Sequence, residues 1–294
     1  MQQIPPADDG YFALSPDEAA FFKAQTGIED DEELKRHIIG VQRKAYEASE
    51  LFAPYPCILL FTFLDFIMGK LPAYQQLVEI GREREDSIFL DIAACCEFGL
   101  DARRAIADGF PAQNVIISDL RPELLDFGHK FFRTTPATYP VHHLACDAFD
   151  PSTLEVVPPS YELNTSSPRP DLNSLTSLNP LHGRVSAIYA GMFFHLFNEA
   201  QQLHLARALA GLLSPVPGSL IFGVHNGAVE KGTKQFQGYG ASLQMFCHSP
   251  ESWRAMWAEV FAGKEEAVRV EAQLKTYKTR AGEFEALEWS VTRL

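Results

Sequence analysis

The chain has 294 residues, of which 46% are hydrophobic, so it can bury one large core together with a modest appendage. Its formal net charge of -13 at pH 7 argues against a nucleic-acid-binding surface, because such surfaces need clustered lysine and arginine. The five cysteines are odd in number and form no C-x-x-C pair, which favours reduced thiols in a cytoplasmic protein without a metal site.

The most apolar run does not predict a membrane span. It covers residues 57–68, which is too short to cross a bilayer, and it is interrupted by Thr62 and Asp65. The N-terminus has neither the basic region nor the apolar region of a secretion signal. We therefore expect no membrane partner.

The first helix has a clear start and stop. Ser15 is a capping residue, Pro16 suits the first helical position, and Glu18 lies three residues after the cap. A helix should therefore begin at this point and run to about Thr26. Gly27 follows as the stop, because glycine readily adopts the left-handed conformation that ends helices.

Helical patterns continue through the first 85 residues. Apolar residues spaced four and three apart predict a longer helix over residues 31–52, and a further helix is expected at 73–83. We interpret residues 1–85 as an N-terminal helical cap. The sheet domain would then occupy residues 86–294.

From residue 88 onwards, strand and helix patterns alternate, which favours a parallel sheet with helices on both faces. The predicted parallel strands lie at 88–92, 115–118, 140–147, 185–189 and 219–224, and a closing antiparallel pair at 267–274 and 285–292. The predicted helices lie at 101–108, 122–132, 199–213 and 249–261. Residues 151–183, rich in proline, serine and asparagine, predict a long surface loop, and residues 225–240 predict a loop beside the site. The expected fold is a doubly wound α/β sheet of seven mostly parallel strands.

The first strand is followed by small residues where the chain turns into a helix, and ligands bind at this edge of parallel sheets. Asp119 ends the second strand, where a carboxylate can accept both hydroxyls of a ribose. The turn offers only Gly99, with Ala93 and Ala94 where the first glycine of a dinucleotide fold is expected. A pyrophosphate is therefore disfavoured, and a nucleoside such as S-adenosylmethionine (SAM) is better tolerated. An ordinary β-α turn of another α/β protein is the alternative.

Several short motifs occur together along the chain. They are YPCI at 55–58, FLD at 89–91 with CC at 95–96, FG at 98–99 with Asp101 and Arg103, DGFP at 108–111, SDL at 118–120, CDAF at 146–149, FHLF at 194–197, PGSLIFG at 217–223 and HSPESW at 248–253. As a set they resemble the class I SAM-dependent methyltransferases of fungal secondary metabolism, the group that includes meroterpenoid O-methyltransferases. The chain departs from the family pattern in two places: Ala93 and Ala94 precede the cysteines, where the family has glycine, and Glu97 separates them from Phe98.

The resemblance implies the Rossmann-like class I fold, SAM as cofactor and a small-molecule acceptor methylated on oxygen, either a carboxylate or a hydroxyl. It further implies that Asp119 binds the ribose, that Asp147 and Ala148 meet the adenine, and that the turn after the first strand holds the methionine end. The residues assigned to the cofactor are Asp91, Ala93, Ala94, Gly99, Asp119, Leu120, Asp147, Ala148 and Ala190. The protein is expected to be a monomer or a homodimer.

His195 follows the fourth strand, and an imidazole with an ordinary pKa near 6.5 suits a general base. The alternative is a histidine that packs between Phe194 and Phe197. Candidate residues for the acceptor pocket are Tyr55, Phe61, Phe194, His225 and His248, although aromatic residues at such spacing also form ordinary cores. Cys95 and Cys96 are expected to be small packing residues, because nothing basic neighbours them.

Two other functions compete with methyl transfer. The missing glycine and the inserted Glu97 would also suit a protein of the same fold that lost transfer and acts as a binding or regulatory subunit. A nicotinamide oxidoreductase would need the absent glycines and is the least favoured.

Overall fold

The computed structural model describes residues 9–49, 55–94, 98–163, 168–238 and 241–294. Its strands are β1 (Phe89–Ile92), β2 (Val115–Asp119), β3 (His142–Ala145), β4 (Ala187–Gly191), β5 (Leu220–Asn226), β6 (Gly232–Gly238), β7 (Ala241–Cys247), β8 (Val268–Thr279) and β9 (Gly282–Arg293). Its α-helices are α1 (Pro16–Thr26), α2 (Asp31–Ser49), α3 (Pro56–Leu59), α4 (Tyr74–Glu83), α5 (Leu100–Ala107), α6 (Pro122–Phe131), α7 (Glu199–Leu212) and α8 (Pro250–Val260).

Seven strands form the main sheet, in the order β3-β2-β1-β4-β5-β9-β8. The first five run parallel, whereas β9 lies antiparallel to both β5 and β8. The order reverses between β1 and β4, and ligands of doubly wound sheets bind at such a reversal, beyond the carboxyl ends of the strands. We call this side the carboxyl edge. The predicted fold class is confirmed.

Both faces of the sheet are covered, which explains why β1 and β2 are mostly apolar and buried at every residue. Successive side chains of a strand point to opposite faces. Leu90 therefore joins the core formed with α7 and α8, and its neighbour Phe89 joins the core formed with α4 and α5.

The N-terminal helical segment, residues 9–83, has an aromatic core that it shares with the sheet domain. Phe22 and Phe63 of this segment pack with Phe98 beside the first strand and with Phe131 of α6. The start and stop of α1 are confirmed, because Ser15 and Glu18 form a reciprocal capping box and Gly27 is left-handed with φ of 70°. The second helix is confirmed over Asp31–Ser49, and the rest of its predicted range lies outside the described residues.

One loop prediction was wrong, and a second was wrong only in placing the loop at the surface. Residues 225–240 form no simple loop, because β5 continues to Asn226 and β6 pairs with β7 in a separate two-stranded hairpin. The described part of residues 151–183 has no α-helix or strand but is not confined to the surface. Five of its leucines enter the core with α7, which a composition rich in proline and serine does not reveal; they are Leu154, Leu172, Leu175, Leu178 and Leu181.

The closing antiparallel pair is longer than the sequence predicted. It begins at Val268 and continues to Thr279 before turning back at Gly282. Within the described residues, no helix combines the length and the apolar character needed to cross a bilayer.

Candidate functional site

Three carboxyl groups lie close together at the carboxyl edge, and all are buried. Asp91 belongs to β1, Asp119 ends β2, and Asp101 lies in the first turn of α5. Burial raises the pKa of Asp91 well above its usual range, and the negative charges of Asp101 and Asp119 raise it further. A cationic ligand would relieve this repulsion, so the group fits a positively charged molecule.

Asp119 is held in a local turn, in which its carboxylate accepts a hydrogen bond from the backbone N–H of Arg121 at 2.9 Å. The neighbouring Leu120 is exposed. Asp147 lies beyond β3, where its carboxylate accepts from the N–H of Phe149 at 2.9 Å, and Ala148 is buried beside it. The residues assigned to ribose and adenine therefore follow two neighbouring strands at the same edge.

The turn between β1 and α5, whose described residues are Ala93, Ala94, Phe98 and Gly99, has an unusual backbone. Ala93 has φ of 66° and Phe98 has φ of 54°, which is the left-handed region that glycine prefers. Ala93 and Phe98 thus hold a backbone conformation that is unfavourable for residues with a Cβ. Gly99 has φ of 70°, and a Cβ there would lie 2.9 Å from Ile117 Cδ1. We call these residues the β1–α5 turn.

Cys95, Cys96 and Glu97 lie outside the described residues. Ala190, also assigned to the cofactor, is fully buried in β4. Two residues further on, Met192 has φ of 47°, so a further left-handed residue lies at the carboxyl edge, outside the β1–α5 turn. Strained backbone of this kind concentrates at functional sites.

Large apolar side chains are exposed beyond three of the strands. Leu120 follows β2, Leu196 follows β4, and Val229 follows β5, and each is more than half exposed. Exposed apolar groups that lie near one another mark ligand surfaces more often than isolated ones do. Leu196 and Val229 could not be identified as site residues from the sequence. The pattern alone does not distinguish an exposed apolar residue after a strand from a residue of the core.

Three buried histidines group beside these strand ends, and burial lowers the pKa of all three. The pKa is about 4 for His195 and about 4 for His248, and that of His225 is well below its usual range. The indole N–H of Trp289 donates to Nδ1 of His225 at 3.1 Å, so the proton of neutral His225 lies on Nε2. Within the described residues, Nε2 of His225 and Nδ1 of His195 have no hydrogen-bond partner.

Several residues predicted to line the acceptor pocket belong instead to the core. Phe194 is fully buried, stacks on His225 with ring centres 5.7 Å apart, and contacts Trp253 edge-on at 4.9 Å. Phe61 is fully buried in the N-terminal helical segment. Aromatic side chains there fill space between helices, which explains their spacing in the sequence. Tyr55 is half-buried.

A groove of about 620 Å³ lies between α7 and α8 and is lined in part by His248, Phe246 and Met256. None of the residues assigned to the cofactor lines this groove. The three buried carboxyl groups therefore locate the candidate cofactor site better than this groove does.

Comparisons with known proteins agree with the motifs. A profile of the meroterpenoid methyltransferase N-terminal domain matches residues 11–64. O-methyltransferase atr3 of Stereocaulon alpinum is 29% identical over 248 residues, which cover 84% of this chain and 62% of that protein. Asnovolin E/Chermesin D methyltransferase nvfJ of Aspergillus novofumigatus is 31% identical over 231 residues, which cover 76% of this chain and 70% of the relative.

The chain thus spans less than two thirds of the first of these relatives. Among solved structures, an S-adenosylmethionine-dependent methyltransferase of Listeria monocytogenes aligns with a TM-score of 0.46 and 9% identity. That alignment covers 75% of this chain and 97% of the other.

Proposed function

Because the chain belongs to the family of fungal methyltransferases that includes the Aspergillus novofumigatus relative, we propose that it transfers a methyl group from SAM to an oxygen of a small secondary metabolite. The observation that carries this proposal is the group of buried carboxyls at the carboxyl edge. Burial raises the pKa of Asp91 there, and the negative charges of Asp101 and Asp119 beside it raise it further. A ligand that is cationic and carries a ribose fits both the charge and the position of these acids.

In this proposal, Asp119 binds the ribose, and Asp147 with Ala148 lies against the adenine. Leu120 adds apolar contact next to Asp119. The β1–α5 turn holds the methionine end, together with Asp91 and Ala190. When bound, SAM supplies an electrophilic methyl group attached to a sulfonium sulfur. Transfer of this methyl group leaves a neutral thioether. The protein's task is then to align the acceptor oxygen and to exclude water.

The acceptor pocket would lie beyond β4 and β5, where Leu196 and Val229 are exposed and His195 is buried. The low pKa keeps His195 neutral at physiological pH, so it can accept a proton from a hydroxyl or position a carboxylate. His248 is a further candidate contact, and Tyr55 is a candidate in the N-terminal helical segment. We propose that this segment acts as a cap over the pocket.

The protein is further proposed to act in the cytoplasm, as a monomer or a homodimer, with a small-molecule acceptor as its partner. Among the described residues, Cys57, Cys146 and Cys247 are free thiols, which suits a reducing compartment. No separate observation favours a protein that has lost transfer.

Calorimetric titration with SAM tests the proposal, with the variant Asp119→Ala beside the wild type. Removing a charged acceptor of hydrogen bonds should weaken binding by about 2–4 kcal/mol. Asp86→Ala is the matched control, because the Asp86 side chain is 89% exposed and its carboxylate lies 3.9 Å from Arg169. Wild-type affinity in the Asp119 variant would reject the assignment. Methyl transfer would then be measured with isotopically labelled SAM and panels of carboxylic acids and phenols.

A further inference from the structure

The hairpin of β8 and β9 extends beyond the carboxyl edge. The pairing of β5 with β9 ends at Asn226 and Ala286, whereas β8 and β9 remain paired up to Thr279 and Gly282. After the pair Lys275–Ala286, four further pairs follow, which extend the hairpin by about 13 Å at about 3.3 Å per residue. Because β8 runs parallel to β5, this overhang projects from the side where the candidate site lies.

Arg280 lies at the tip of the overhang and contacts the N-terminal helical segment. Its Nη1 donates to the carbonyl of Phe61 at 2.8 Å, and its Nη2 donates to the carbonyl of Ala13 at 3.0 Å. The same guanidinium pairs with Glu18 at 3.1 Å and with Asp65 at 3.4 Å. The side chains of the three charged residues are only 9%, 13% and 8% exposed.

This ion cluster is well suited to fix one geometry. Burial raises the pKa of Asp65, and the positive charge of Arg280 opposes that rise. A planar guanidinium can serve two carbonyls and two carboxylates at once, whereas the ammonium of a lysine cannot reproduce that arrangement. The positions of residues 61 to 65 are therefore tied to the hairpin tip.

From residues 61–65, aromatic contacts lead to the candidate cofactor site. Phe61 has φ of 57° and its ring stacks on Phe63, with centres 5.9 Å apart. Phe63 contacts Phe98 edge-on at 5.0 Å. Phe98 and Gly99 end the β1–α5 turn, and a bulky residue with positive φ persists only where its surroundings hold it there.

We propose that Arg280 is a positioning residue for the β1–α5 turn. It anchors residues 61–65, so that Phe63 holds Phe98 in its left-handed conformation and thereby sets the path of the backbone at Gly99. The inference rests on the proposed function only in taking SAM as the ligand of this turn. It assigns a role in cofactor binding to a residue at the far end of the chain.

The test compares Arg280→Lys, Phe63→Leu and the double variant with the wild type. Each single change should weaken SAM binding in calorimetry by about tenfold, because small displacements of a binding group are costly. The double variant should bind about as weakly as either single variant, since both changes remove the same support. In the ligand-free protein, the amides of Ala93 and Gly99 should exchange hydrogen faster in all three variants.

Arg269→Lys is the control, because Arg269 lies at the opposite end of β8 from Arg280 and pairs with Glu271 at 3.9 Å in an exposed position. It should leave both affinity and exchange unchanged. Folded variants with wild-type affinity and exchange, or single effects that simply add, would overturn the inference. If Arg280→Lys does not fold, Phe63→Leu still decides, since unchanged exchange at Gly99 would refute the path through Phe98. A wild type that does not bind SAM would reject the proposed function, while the exchange measurement would still test the inference.

Discussion

At the scale of single residues, Ala93 is the clearest conflict between sequence and backbone. Its φ of 66° is unfavourable for a residue with a Cβ, so Ala93→Gly should raise the free energy of unfolding by about 1 kcal/mol. Denaturant unfolding measures this change. Ala255→Gly is the control, because Ala255 is a solvent-exposed residue in the middle of α8. This change should lower stability by about 1 kcal/mol. Destabilisation by Ala93→Gly would show that the strain is absent in solution.

His195 offers a second prediction at this scale. If it takes a proton from a hydroxyl acceptor, His195→Ala should lower kcat by about 10²–10⁴-fold. The acidic limb of the pH–rate profile should then lie near the pKa of about 4 that burial imposes, well below the usual value for histidine. With an acceptor that is already ionised, the loss should be small and independent of pH. An unchanged rate with every acceptor would exclude His195 from the site.

At the scale of elements, α6 supports the β1–α5 turn through Gly128. A methyl group at Gly128 would overlap the carbonyl oxygen of Phe98, so Gly128→Ala should destabilise the protein and weaken SAM binding. Helix propensity alone would predict the opposite effect on stability, because alanine favours helices more than glycine does. Gly40→Ala in α2 is the matched control, because a Cβ there meets nothing within 4 Å. It should instead raise stability by about 0.5–1 kcal/mol. Equal effects of the two changes in thermal unfolding would contradict this close contact.

Elements also show how far the sequence alone could lead. The parallel strands and the capped helices were predictable, because each depends on local patterns such as the Ser15 capping box or the apolar run of β1. The β6–β7 hairpin was missed because polar residues and glycines hide its alternation. The overhang of β8 and β9 was missed for a different reason: its tip residue Arg280 is stabilised by partners more than 200 positions away. No local pattern encodes such contacts.

In the candidate site, too, features that depend on local patterns were predictable, whereas features that depend on distant contacts were not. Asp91 and Asp119 could be identified from the sequence because acids at strand ends meet at one edge of a parallel sheet. The raised pKa of Asp91 could not, since it depends on burial and on Asp101 packing beside it from α5. Burial likewise separates Leu196, which is exposed, from its neighbour Phe194, which is fully buried in the core. Adjacent residues of one motif can thus serve different purposes.

At the scale of the whole molecule, buried histidines should make the protein sensitive to acid. Burial lowers the pKa of His143, His195 and His248 to about 4 each, while in the unfolded chain a histidine has a pKa near 6.5. Between these values the unfolded state binds more protons, so the free energy of unfolding falls as the pH drops through this window. Asp91 has the opposite sign, because its raised pKa means that the folded state binds the extra proton.

Asp65, whose pKa is also raised, has the same sign as Asp91, but the histidines with lowered pKa outnumber these two carboxyls, so the net effect should be a loss of stability from about pH 6.5 down to about pH 4. Each buried histidine should contribute a slope of about 1.4 kcal/mol per pH unit within the window. His143→Gln should remove one such slope in denaturant unfolding measured at several pH values. His182→Gln is the control, because its side chain is half-buried like that of His143 but lies outside this group of histidines. Parallel pH profiles for wild type and His143→Gln would show that His143 titrates in the folded protein as it does in the unfolded chain.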